Sequence, residues 1–257
     1  MPTALHFEDL LQALGFAGAR ISGLLIFAPF FGGMAVPARV KAVLVAALTL
    51  LLHPAYGAAR VHLTAYQWGA AVLNEVLAGM LLGLTLQFLF DGVQIAGQVL
   101  GVQMGVSLVN IMDPQTQVDT SVLSILHQTV ALLIFLQLDV HHWLLRGLAR
   151  SFEYMPPASV AMNGSTVSEL LRLAGGMWLC GVQIAAPVLL ATLLTDITLG
   201  FIGKASPQLP VLFLGLSIKS LLGCAVLIAA LPLWPKYLEK HFAGAIAAGE
   251  RLLRLAR

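Results

Sequence analysis

Four long stretches of this sequence contain no Asp, Glu, Lys or Arg: Ile21–Ala38, Ala42–Ala59, Thr120–Leu138 and Leu173–Thr195. A helix needs roughly 20 mostly apolar residues to cross the hydrocarbon core of a bilayer. Only 10% of the chain is charged and 59% is hydrophobic, whereas soluble domains carry about 25% charged residues. The sequence therefore predicts an all-α, polytopic membrane protein.

Glycine and proline divide the chain into six or seven predicted helices in hairpins. We expect helices at about Leu10–Ala28, Ala38–Leu52, Gln67–Phe90, Gly92–Ile111, Ser121–Ala149, Val167–Lys204 and Leu209–Leu231. No strong breaker lies between Trp68 and Val109, so a single helix here would be about 63 Å long, twice the thickness of the hydrocarbon core. Either Gly92 interrupts this helix, or the helix stands partly outside the bilayer.

The basic residues are concentrated at the C-terminus. Five of the 14 Lys and Arg residues follow Pro235, and the positive-inside tendency therefore places this end in the cytoplasm. The segment has the helical pattern of an interfacial or docking helix. No basic region precedes the first apolar stretch, so we expect that helix to be retained rather than cleaved as a signal peptide.

Charged side chains interrupt nearly every apolar segment. Each would cost about 2.5–3.5 kcal/mol at the centre of a lone membrane helix. They are Arg20, Glu75, Asp91, Asp139, Asp196 and Lys219. Two hypotheses remain open, a conduction path or proton relay and packing between subunits. We favour packing, with each charge satisfied by a neighbouring chain. Asp196 and Lys219 flank the turn at Ser206, and their spacing leaves open whether they pair.

Polar and small residues recur at spacings of three and four along the third and fourth predicted helices. Such a stripe predicts close helix contact or a wetted lumen, because glycine lets helix backbones approach each other. Its members are Glu75, Gly79, Gly83, Gln87, Asp91, Gln94, Gly97, Gln98, Gly101, Gln103 and Gly105.

Asp139, His142 and Arg146 share one face of the fifth predicted helix. His141 should point about 100° away from His142, and no second ligand cluster accompanies them, so we expect a polar helix end rather than a metal site. The sequence contains no GxSxG, HExxH, P-loop or glycine-rich dinucleotide turn. We therefore expect no enzyme activity and no cofactor.

The block from Ala96 to Ser107 (AGQVLGVQMGVS), followed by Asp113 and Pro114, resembles the FliR/SctT family of type III secretion export-gate proteins, in its flagellar branch. The stretches RISGLLIFAP from Arg20, EVLAG from Glu75 and FLQLD from Phe135 are also similar to this family. Near the C-terminus, Pro187, Thr195, Lys204 and Lys219 resemble the two-helix FliQ subunit.

The resemblance implies three parts: a FliP-like part over 1–166, a FliQ-like hairpin over 167–234 and a basic amphipathic tail over 235–257. It also implies that the loop after the glycine-rich helix, about Val106–Val122, plugs the closed gate. The matching positions are Val106, Ser107, Leu108, Val109, Asn110, Ile111, Met112, Asp113, Pro114, Gln115, Gln117, Val118 and Asp119.

As a family member, the chain would be a non-enzymatic subunit of the flagellar export gate in the bacterial inner membrane. The implied partners are FliP-like and FliQ-like gate subunits, FlhB-like and FlhA-like export components, unfolded flagellar substrates and membrane lipid, with no nucleic acid. The alternatives are an injectisome gate subunit of the same family and a proton-coupled transporter. An intramembrane enzyme using Asp139 and His142 is a remote third hypothesis, and the transporter is disfavoured because the sequence shows no repeat of two similar halves.

Overall fold

A computed structural model describes residues 7–29, 31–32, 36–52, 64–107, 121–156, 159, 163–206, 208 and 210–256. All regular elements among these residues are helices. In chain order they are α1 (Phe7–Phe27), α2 (Ala38–Leu51), α3 (Ala65–Gln103), α4 (Val122–Gln137), α5 (Val140–Tyr154), α6 (Gly164–Ala205), α7 (Val211–Ala230) and α8 (Trp234–Leu255). The predicted all-α class is confirmed.

A proline lies immediately before two of these helices. Pro37 precedes α2 and Pro210 precedes α7, each at the N-cap position. Proline suits a helix start because it lacks the backbone N–H that the first turn cannot pair. A short 3-10 turn, Leu231–Leu233, connects α7 to α8.

Helix α3 runs without interruption through Gly92. It contains 39 residues and is therefore about 58 Å long. Of the two alternatives left open, a break at Gly92 does not occur, because glycine costs only about 1 kcal/mol in a helix and membrane helices tolerate it. The helix ends at Gln103, earlier than the predicted end at Ile111, and Met104–Ser107 form a turn.

The fifth predicted helix is two helices. The chain leaves α4 at Gln137, bends by 66° and re-enters a helix at Val140. Asp139 causes the break, because its backbone adopts the left-handed conformation with φ 53° and ψ 29°, which no residue inside an α-helix can hold. Aspartate and asparagine enter this region more readily than other non-glycine residues.

Four helical segments are long and apolar enough to span a membrane: Leu10–Phe27, Tyr66–Gln103, Gly164–Ala205 and Phe213–Leu255. The bent pair α4–α5 is a fifth candidate if it is counted as one broken span. These counts cover the part of the chain that the structure describes.

The chain divides into two compact units. The first comprises 1–88, 135–174 and 241–257, and the second 89–134 and 175–240. In the first unit the fully buried Phe16, Leu82, Leu148 and Phe242 contribute to the core. In the second, Leu100, Met104 and Val188 are buried.

The last two-thirds of α8 dock against the first unit. Phe242 packs edge-on against Phe135, with ring centroids 5.6 Å apart. Gly249 faces Leu82, and a Cβ there would lie 2.9 Å from that side chain. This part of the predicted amphipathic tail is therefore a docking helix that buries its apolar face within the protein.

Candidate functional site

Arg20 of α1 and Glu75 of α3 form a fully buried ion pair in the first unit. The Arg20 Nε donates to Glu75 Oε2 at 2.6 Å. Its Nη1 donates to Ser151 Oγ at 3.0 Å, and its Nη2 donates to the Met155 carbonyl at 3.1 Å. The guanidinium also stacks over the Phe152 ring, 4.4 Å from the centroid. One arginine thus connects α1, α3 and the C-terminal end of α5.

This network explains how the apolar interior accommodates two charges. A buried charge is tolerated when a counter-ion and hydrogen bonds compensate for its lost hydration. The carboxylate supplies the counter-ion, and Ser151 and Met155 occupy the other ends of the guanidinium. The expectation that a neighbouring chain satisfies these charges is wrong for Arg20 and Glu75, because they satisfy each other within the chain.

Three glycines bring α1 and α3 into backbone contact in the same unit. A Cβ on Gly79 would overlap the Arg20 carbonyl, and one on Gly23 would overlap the Val76 carbonyl. A Cβ on Gly83 would lie 2.8 Å from the Leu24 carbonyl oxygen. The ion pair therefore lies directly beside a close helix crossing, as small residues permit in membrane proteins.

The glycines of the second half of α3 face other helices of the second unit. A Cβ on Gly92 would lie 2.6 Å from the Met177 carbonyl oxygen of α6. Gly97 faces the backbone of Ser124 in α4, whose hydroxyl donates to the Gln94 carbonyl at 3.2 Å. The stripe position Gly97 is therefore in contact with α4 of the same chain, and Gly92, which is not part of the stripe, is in contact with α6.

The two described residues that flank the 108–120 segment come together at Gly101. A Cβ on Gly101 would overlap both the Ser107 and the Ser121 hydroxyls. The Ser107 N–H donates to the Gly101 carbonyl at 3.0 Å, and Gly105 permits this reversal through its positive φ of 76°. The chain thus leaves α3 and re-enters α4 at one place.

Most of the predicted plug lies outside the described residues. Val106 and Ser107 are described, and Val106 is exposed whereas Ser107 is buried. The positions outside the described ranges are Leu108, Val109, Asn110, Ile111, Met112, Asp113, Pro114, Gln115, Gln117, Val118 and Asp119.

Asp196 of α6 and Lys219 of α7 form an ion pair in the second unit. Gln103, the last residue of α3, donates from Nε2 to the other Asp196 oxygen at 3.3 Å. The pairing that the sequence left open therefore occurs, and a neighbouring chain is not required for it. Because Gln103 joins the pair, the α6–α7 hairpin is connected to the end of α3 just before the 108–120 segment.

Asp139, His141 and His142 lie together at the break between α4 and α5. Their ligand atoms all lie within 4.8 Å of one another, and the two imidazole centroids are 4.1 Å apart. The expectation that His141 points away from His142 is wrong, because Asp139 begins a new helix and the two rings fold towards it in its first turn.

Sequence reasoning missed the partners of Arg20 on α5. Ser151 is separated from Arg20 by 131 residues in the chain, and neither Ser151 nor Phe152 belongs to a recognisable motif. Ser151 and Met155 do lie one helical turn apart, which places both at the same edge of α5. That spacing alone does not indicate an arginine partner.

These features define a polytopic helical membrane protein in which glycine-mediated crossings and paired charges hold long helices together. The profile of the family described as "Bacterial export proteins, family 1" matches residues 11–245. The chain belongs to this family of bacterial export proteins.

Individual relatives cover most of the chain. Flagellar biosynthetic protein FliR of Pectobacterium carotovorum is 30% identical over 225 residues, which cover 87% of this chain and 85% of that protein. The proteins of the same name from Escherichia coli K12 and Bacillus subtilis 168 are each 29% identical over 87% of this chain, and cover 85% and 87% of their own lengths. The resemblance to the FliR family is confirmed by these relatives.

Proposed function

We propose that this chain is a non-enzymatic subunit of the flagellar type III export gate in the bacterial inner membrane, where it helps to form and plug the protein-conducting channel. The observation that carries the proposal is the junction at Gly101. The 108–120 segment begins and ends at one point, at the end of the long glycine-rich helix. A segment anchored at both ends can occupy or vacate a channel without detaching from its helices.

The buried contacts within the chain support a fixed scaffold around that segment. The Arg20–Glu75 pair and the Asp196–Lys219 pair are used to hold helices together. Paired charges of this kind favour packing over a proton relay, which needs groups that exchange protons along a path. Substrates in this proposal are unfolded flagellar proteins that pass through the channel, and no step requires a catalytic group.

The exposed apolar surface of α6 and α7 is an argument that partner subunits and lipid contact these helices. Large apolar side chains along both helices are exposed, and they include Leu179, Leu190, Leu194, Phe201, Phe213, Leu221 and Ile228. The C-terminal hairpin, 167–234, is the part that resembles FliQ, and 1–166 is the FliP-like part. We propose that FliP-like and FliQ-like subunits cover part of this surface, with FlhB-like and FlhA-like components added to the assembly.

The charge of α8 supports a cytoplasmic C-terminus. Lys236, Lys240, Arg251 and Arg254 are exposed on this helix, and basic residues next to a span favour the cytoplasmic side. Lys236, Lys240 and Arg251 can approach anionic headgroups from this surface.

Co-expression with FliP-like and FliQ-like proteins, followed by native mass spectrometry in detergent, tests the assignment. We expect a large hetero-oligomer that contains one copy of this chain. A stable monomer or homodimer that does not associate with those proteins would contradict the gate assignment and favour a transporter.

Deletion of 112–120 tests the plug. We expect the variant to assemble but to make the inner membrane leak ions, because the channel loses the segment that seals it. The measurement is dye and ion efflux from vesicles that contain the co-expressed complex. A second variant replaces the same segment with an equally long Gly/Ser linker, which preserves the connection but removes the sealing side chains such as Met112 and Val118.

Both variants should leak if the side chains seal the channel. If vesicles with either assembled complex show no increase in dye or ion efflux, the plug assignment is wrong and the segment is only a connector. If the deletion fails to assemble, the linker variant decides.

A further inference from the structure

The break between α4 and α5 brings three metal-ligating side chains to one point of the first unit. Asp139 Oδ1 lies 3.4 Å from His142 Nδ1 and 3.9 Å from His141 Nε2. All three ligand atoms lie within 4.8 Å of one another. These three side chains have no role in the proposed channel or plug.

The two distances from Asp139 to the histidines are close to those of a tetrahedral metal site. Ligand atoms at 2.0–2.1 Å from a tetrahedral zinc ion lie about 3.3 Å apart. The Asp139–His142 distance already has this value within about 0.1 Å. The Asp139–His141 distance exceeds it by about 0.6 Å, which a small rotation of an imidazole ring removes.

The local fold presents the correct atoms. Asp139 has a left-handed backbone conformation, so its carboxylate lies beside the first turn of α5 instead of continuing along α4. The Nδ1 atom of His141 is buried, and its Nε2 is the nitrogen that approaches the carboxylate. The ring of Phe135 lies 6.3 Å from that of His141 and limits its motion.

The chemistry of the donors selects the kind of ion. Two imidazoles and one carboxylate suit Zn²⁺, Co²⁺, Ni²⁺ and Cu²⁺, whereas Mg²⁺ and Ca²⁺ prefer oxygen donors alone. The Asp139 and His142 side chains are more than half exposed, so the chain itself leaves room for an ion and for a fourth ligand such as a water molecule.

We propose that Asp139, His141 and His142 form a binding site for a divalent transition-metal ion, of which zinc is the representative. The ion would tie the connection between the two helices to the first turn of α5 and thereby stiffen the bend. In such a site each histidine binds the ion through a ring nitrogen that carries no proton.

Titration of the metal-free full-length chain with Zn²⁺ in detergent tests the proposal. The protein carries a histidine-free affinity tag, and calorimetry gives stoichiometry and affinity. We expect one Zn²⁺ per chain, and a visible absorption spectrum typical of four-coordinate geometry when Co²⁺ replaces it.

Asp139→Asn tolerates the same backbone conformation but removes the charged ligand, and His142→Gln removes one imidazole. Each should weaken binding by about tenfold or more.

His241→Gln is the matched control, since His241 is a half-buried histidine of α8 outside the cluster. It should leave binding unchanged. Absence of stoichiometric Zn²⁺ binding, or equal affinity in the wild type, Asp139→Asn and His142→Gln, would overturn the proposal. Equal loss in His241→Gln would do the same, since it indicates binding to scattered histidines. If Asp139→Asn does not fold, His142→Gln decides, because the His142 side chain is more than half exposed.

Discussion

Replacing Glu75 with alanine is expected to reduce the free energy of unfolding by about 3–5 kcal/mol, because it leaves the Arg20 guanidinium buried without its counter-ion. Arg20 and Glu75 are both fully buried, so water cannot compensate for the loss. The measurement is unfolding of the full-length chain by SDS in mixed micelles, followed by tryptophan fluorescence. In cells, the same variant should accumulate to a much lower level than the wild type.

Two variants make this prediction specific. The double variant Arg20→Met with Glu75→Leu removes both charges and should recover most of the stability, since apolar residues of similar volume often replace a buried pair well. Glu169→Gln is the matched control, because Glu169 of α6 pairs with an arginine, Arg172, whose side chain is largely exposed, and ion pairs with an exposed partner contribute little. A Glu75→Ala variant as stable as Glu169→Gln would mean that the buried pair does not hold α1 and α3 together.

Gly79→Ala is expected to cost about 3 kcal/mol, the upper end of the usual effect of overpacking. The added methyl group would overlap the backbone carbonyl of Arg20, and a backbone atom cannot move aside as the end of a side chain can. The two helices must therefore separate, and the separation also disturbs the adjacent ion pair. The same SDS titration measures the effect, together with the fraction of the chain recovered in the co-expressed complex.

Gly69→Ala is the control on the same helix. No atom lies within 4 Å of the position that its Cβ would occupy, so this substitution should be neutral or slightly stabilising through its helix propensity. If Gly79→Ala and Gly69→Ala behave alike, the predicted backbone contact between α1 and α3 is absent in the membrane.

The all-α class was predictable because it depends on local composition. A segment inside the bilayer must pair its backbone groups within itself, so an apolar segment of bilayer length favours a helix whatever it packs against. The breaks were less predictable. Gly92 stood at a position where a helix could end, whereas the fifth predicted helix ran through Asp139. In the structure, α3 continues through Gly92 and the chain breaks at Asp139.

The candidate functional residues were likewise predictable in part: their positions could be read from local spacing, but their partners could not. The stripe along α3 was visible as a spacing of three and four, and its glycines Gly79, Gly83 and Gly97 lie against α1 and α4. The charges were visible as exceptions in apolar segments, but their partners were not. Whether Asp196 pairs with Lys219 depends on the relative placement of two helices, and the partners of Arg20 on α5 come from a segment far away in the chain.

By itself, then, the sequence determined that this protein consists of membrane helices and belongs to the bacterial export family, with a glycine-rich polar helix followed by a polar segment. These properties depend on residue type and local spacing. Only the tertiary structure decided that Arg20 meets Glu75, that His141 and His142 converge on Asp139, and that Ser107 meets Ser121 at Gly101. Such contacts depend on which helix faces approach one another, and periodicity within one helix does not specify the helix that lies opposite.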